Sequence, residues 1–163
     1  MADTILVVVE QREGKLNRVS WETITAGQEI AAATGWTLEA AVVGGTASAF
    51  AAEVAAKKVA KVYAVESPKL EPYTPDAFAA ALKQLITAKQ PKLVLMPHTY
   101  QVRDFVPKLA TAMGRALADR MAHPSSAFDM PLTPIVPIPM HAFWPVAVKA
   151  AILSGRVRDF FGI

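Results

Sequence analysis

The densest run of chemically capable side chains is His98, Thr99, Tyr100, Gln101, Arg103 and Asp104, directly after the apolar residues Leu93, Val94, Leu95 and Met96. An imidazole, a hydroxyl, a guanidinium and a carboxylate in so short a span could bind a ligand, dock a partner or move a proton. The element that must position them is the apolar run itself. A short continuous run bounded by Pro91 and Pro97 reads as a strand buried on both faces of a parallel sheet. The polar cluster then falls where that strand hands over to a helix, the edge at which open α/β sheets meet ligands. A plainer reading stands beside this one: Thr99 caps the helix, and Arg103 and Asp104 are solvated residues of its first turn.

Other chemistries find little support. His98, His123 and His141 lack metal-ligand spacing, no serine sits in a nucleophile elbow, and no carboxylate pair reads as an acid and a base, so no catalysis and no metal are expected. Gly44 and Gly45 belong to no phosphate-binding glycine motif. Without cysteine there are no disulfides and no thiol chemistry. Lysines and arginines are scattered despite a net charge of +3, which does not indicate nucleic acid binding. The first ten residues carry no cationic leader or bilayer-spanning run, so the expectation is a cytoplasmic protein with no membrane anchor. A hydrophobic content of 53% with 19% charged residues suggests apolar surface that meets a partner or a second copy of the chain.

At 163 residues the chain is long enough for one α/β domain and its core. Residues 5–9 form an unbroken aliphatic strand ending at Glu10, and residues 11–18 read as a polar loop. Ser20 is the expected N-cap of a first helix that ends at Gly35, with Ile24, Ile30 and Ala31 on its apolar face. A second strand over 37–43, a helix over 47–58 and a third strand over 61–66 follow. Thr74 with Pro75 opens a helix carrying Phe78, Ala81, Leu82, Leu85 and Ile86. After the fourth strand, over 92–96, Val106, Leu109, Ala110, Met113 and Leu117 make an apolar stripe, with Pro107 in that helix's first turn. Trp21, Trp36 and Trp144 read as packing residues. Four successive strand–helix units predict a parallel sheet of order near 3-2-1-4. Its switch point between the first and fourth strands brings Glu10 and Gln11 near Pro97 to Thr99. The candidate interface or switch-point residues are therefore Glu10, Gln11, His98, Thr99, Arg103 and Asp104.

The run ILVVVE with its following GKL, VVGG after the second strand, KVYAVE, YTPDAFA and HTYQVRDFVPKLATAMGRAL together resemble the N-terminal domain of the electron transfer flavoprotein alpha subunit. Within the last segment, Thr99, Arg103, Asp104, Pro107, Lys108, Leu109, Ala110 and Gly114 follow the family's pattern. The resemblance covers residues 1–119. It implies an αβα sandwich of the Rossmann-like, adenine nucleotide alpha hydrolase-like type. It also implies a heterodimer with a beta-like subunit that shuttles electrons from flavin dehydrogenases. The family's FAD is held mainly by a further C-terminal domain of the alpha subunit, for which this chain leaves no room, so no cofactor is expected on this chain alone.

Residues 120–163 depart from the family and carry half of the chain's 12 prolines. Over 131–139 that density predicts an extended segment of polyproline character rather than a central strand or helix. A short helix over 147–153 precedes Phe160 and Phe161. A shifted reading frame and a lineage-specific ending both account for the divergence. The leading function is a non-catalytic scaffold and docking domain. The alternatives are a small adenine-nucleotide-binding, stress-type domain with its ligand between Glu10 and Thr99, and a truncated fragment without activity.

Overall fold

The computed structural model describes residues 3–114 and 135–138. Strand β1 (Thr4–Val9) lies at the centre of a five-stranded sheet, and all five residues from Ile5 to Val9 are buried. A hairpin of β2 (Gln11–Arg12) and β3 (Lys15–Leu16) follows, where the sequence reads as a loop. Glu13 and Gly14 both take positive φ at its turn, the backbone that a two-residue hairpin requires.

Helix α1 (Arg18–Thr34) is capped by Asn17 rather than Ser20. The Asn17 side chain accepts from the Val19 N–H, and the hairpin delivers the chain to the helix three residues earlier than expected. Gly35 ends it at φ 73, as its position predicts. Then come β4 (Thr37–Gly44), α2 (Ser48–Ala55), β5 (Lys61–Glu66), α3 (Pro75–Lys89), β6 (Leu93–Pro97) and α4 (Tyr100–Met113). Thr74 caps α3 through the Ala77 N–H with Pro75 at the first position, and Thr99 caps α4 through the Val102 N–H. Pro107 lies inside α4, not in its first turn. It is exposed there and removes one backbone donor from the middle of the helix.

The sheet order is β5-β4-β1-β6-β7, with β7 being Ile135–Ile138 and every pairing parallel. The four expected strands thus take the expected order, and a fifth is added beside β6. This strand comes from the segment expected to be polyproline-like. It pairs in register with β6 from Val94–Ile135 to Pro97–Ile138. As the outermost described strand it offers only one edge to the ladder, a position in which Pro137 is tolerated. Leu117, His123, His141, Trp144, the helix over 147–153, Phe160 and Phe161 lie outside the described residues.

The two-residue period of the strands divides the core in two. Ile5, Val7 and Val9 join Leu38, Ala40, Val42, Leu93 and Leu95 under Ile24 and Ile30 of α1 and Val54 of α2. Leu6 and Val8 join Ala41, Val43, Val94 and Met96 under Phe78, Leu82 and Ile86 of α3 and Phe105, Val106 and Leu109 of α4. Helices therefore cover both faces of the sheet, and the polar ends of β1, β4 and β6 are left to meet at one edge.

Candidate functional site

At the carboxyl edge the order of strand addition reverses between β1 and β6, and there Glu10 follows β1. Its carboxylate accepts from the Thr99 hydroxyl on one oxygen and from the Asn17 side-chain amide, at 3.0 Å, on the other. The Glu10 backbone N–H donates to Ser20 Oγ at 3.0 Å, and its carbonyl accepts from the Asn17 N–H at 2.9 Å. Glu10 is only 8% exposed, so the switch point holds a buried carboxylate satisfied by the chain's own donors. Ser20, expected as a cap, is instead a fully buried support for that residue. Glu10 and Thr99, 89 residues apart in sequence, are thus joined where the topology predicts. His98 is half-buried at the end of β6.

Gln11 enters the hairpin beside this latch and lies against Gly44. A Cβ at position 44 would collide with the Gln11 carboxamide, and one at Gly45 would come within 2.9 Å of the Glu71 carboxylate. The glycine pair thus admits two side chains over the β4 turn. Past that turn, the Ser48 N–H at the start of α2 donates to Glu66 Oε2 at 2.8 Å. That bond holds the Glu66 carboxyl below its ordinary range. A phosphate at this helix start would meet a carboxylate already in place.

Arg103 and Asp104 do not pair with each other among the described residues. Asp104 accepts from the Tyr73 hydroxyl at 2.9 Å, with the Gln101 carbonyl also in reach at 3.2 Å. Burial, then the Asp104 carboxylate, raises the Tyr73 pKa well above its ordinary value. The Tyr73 ring meets Phe78 edge-on at 5.0 Å. Lys108 of α4 joins Asp76 of α3 at 2.9 Å. Arg103 and Asp104 are both exposed one turn into α4.

Tyr73, Phe78, Gln101 and Asp104 border a groove of about 730 Å³ between the hairpin, the Leu70–Tyr73 stretch and the start of α4. Gln11, Glu71, Tyr73, Tyr100, Gln101 and Asp104 line it, and Tyr100 is 90% exposed. Of the six sequence candidates the structure brings Glu10 and Thr99 together and sets Gln11 and Asp104 into the groove. Sequence reasoning missed Asn17, Glu71 and Tyr73. An asparagine two residues before the apolar Val19 was the available signal for the first; Tyr73 and Asp104 are related only through the tertiary fold. Among the described residues no group of three or more metal-ligating side chains converges. No described helix is long and apolar enough to cross a membrane.

A parallel sheet with helices on both faces and a polar switch-point edge defines a Rossmann-like α/β domain. The sequence pattern of the electron transfer flavoprotein domain matches residues 5–122, and the chain belongs to that family. It is 29% identical over 133 residues to the electron transfer flavoprotein subunit alpha of Bacillus subtilis, covering 82% of this chain and 38% of that one. To the corresponding subunit of Syntrophomonas wolfei it is 32% identical over 112 residues, 69% of this chain and 34% of that one. To the acryloyl-CoA reductase electron transfer subunit beta of Anaerotignum propionicum it is 31% identical over 119 residues, 73% and 32% of the respective chains. The chain spans about a third of the length of these relatives.

Proposed function

We propose that this domain is the scaffold and docking part of an electron transfer flavoprotein, joining a beta-type subunit in a heterodimer that passes electrons from flavin dehydrogenases. FAD belongs to the assembled heterodimer in this reading, and the described residues supply a rigid surface rather than redox chemistry. The observation that carries the proposal is the family match over residues 5–122, together with a switch point filled by Glu10, Asn17 and Thr99. In an open α/β sheet that crevice is the usual ligand seat. Here a buried carboxylate occupies it, which favours a structural task for this edge over nucleotide binding.

The groove beside the latch and the exposed Tyr100 and Arg103 give the domain a surface for its partner. The test is co-expression with a beta-type electron transfer flavoprotein subunit, followed by sizing and an absorbance spectrum. A one-to-one complex supports the proposal. Tight adenine nucleotide binding by the isolated chain, with no complex, would replace it by the nucleotide-binding alternative.

A further inference from the structure

The groove contains a polar group that the fold leaves unfinished. Gln11 is 9% exposed, and its carboxamide forms no hydrogen bond among the described residues, although it offers two donors and an acceptor. Buried amides of this kind are nearly always satisfied, because leaving them without a partner costs the desolvation of each group. Gly44 leaves room for this carboxamide against the β4 turn. A ligand that completes it must present both an acceptor and a donor, as a peptide group does.

The rest of the lining states the ligand's charge. Glu13, Glu71 and Asp104 contribute three carboxylates, while the cation of Arg12 lies 3.7 Å from Glu13 and is partly matched there. Such a surface attracts a cation and repels a phosphate. Tyr100 stands 90% exposed on the same groove, a ring face open to a flat cation. A guanidinium fits carboxylates through its planar fork and stacks on aromatic faces, which an ammonium does less well.

Resting on the docking function proposed above, we infer that this groove receives an arginine-bearing peptide segment of the partner protein. The peptide group pairs with the Gln11 carboxamide, and the guanidinium meets Glu71 and Asp104 beside Tyr100.

The test is a titration of the isotope-labelled full chain with N-acetyl-arginine methylamide, followed by NMR. The neutral isostere N-acetyl-citrulline methylamide serves as control. The expected result is movement of the Gln11 side-chain amide and of the Tyr100 and Asp104 resonances on one binding curve, with citrulline about tenfold weaker. Gln11→Met, which keeps the length and removes the amide, and Glu71→Gln, an exposed change, should each weaken arginine binding about threefold or more while leaving resonances outside the groove in place. Equal binding of the two probes, shifts confined to other surfaces, or unaltered binding by Gln11→Met would overturn the inference. The partner assay separates this claim from the function it rests on. A beta-type subunit that binds wild type, Gln11→Met and Glu71→Gln equally would remove the groove from the interface and leave the proposed function standing. Specific arginine binding to a chain that forms no complex would keep the site and refute the function.

Discussion

Replacing Thr99 by valine tests the switch-point latch with almost no change of shape. The Thr99 hydroxyl has two tasks: it accepts from the Val102 N–H to cap α4, at 3.2 Å, and it donates to the Glu10 carboxylate. Losing a helix N-cap costs about 1 kcal/mol. Leaving a buried carboxylate one donor short costs about 1–3 kcal/mol, and the low end applies because Asn17 still donates to the other oxygen. Together Thr99→Val should destabilise the domain by about 2–3 kcal/mol, a large share of a stability of about 5–15 kcal/mol. Thr99→Ser keeps the hydroxyl and should recover most of that. Urea unfolding of the full chain at neutral pH reads the difference as a lowered midpoint with an unchanged slope. If valine and serine variants unfolded within about 0.5 kcal/mol of each other, the latch would contribute nothing to stability.

Gly27 faces the sheet from α1, and a Cβ there would come within 2.8 Å of Leu38 Cδ1 and 2.9 Å of Val7 Cγ2. Gly27→Ala gains about 1 kcal/mol of helix propensity but overpacks the core by about 1–3 kcal/mol; a net loss of about 1 kcal/mol in thermal or urea unfolding is expected, and a stabilised variant would show that the sheet yields easily. Burial, then the hydrogen bond to Glu39, pushes the Tyr63 hydroxyl from 10.0 up to about 12. Because the folded value is the higher one, this contribution is fully present below pH 10 and fades as pH rises towards 12. Alkaline unfolding followed by tyrosinate absorbance should therefore be less pH-dependent in Tyr63→Phe than in wild type, and an identical profile would contradict the assignment.

The parallel sheet was legible because runs such as Ile5 to Val9 are apolar at every position, which only burial on both faces requires. Thr74, Thr99 and Gly35 were legible as caps because capping is a local rule. Even Glu10 and Thr99, far apart in sequence, could be placed together once strand order fixed the switch point. Where two local rules competed, the sequence misled: Asn17 and Ser20 both suit an N-cap, and the intervening hairpin decides for Asn17. The first-turn placement of Pro107 failed because α4 already begins at Tyr100. Prolines over 131–139 argued against a central strand, yet an outer strand needs only one paired edge, and β7 uses that allowance. The groove itself was not legible. Tyr73 and Asp104, Gly44 and Gln11, and Gly45 and Glu71 meet only because separate crossovers end at one edge.

The proposed docking function requires that this chain bind a beta-type electron transfer flavoprotein subunit. Mixing the purified full chain with that subunit and measuring the molar mass by light scattering gives the answer in one experiment. A single species with the summed mass of one copy of each chain is the predicted result. Two unshifted peaks at all concentrations would contradict the docking function.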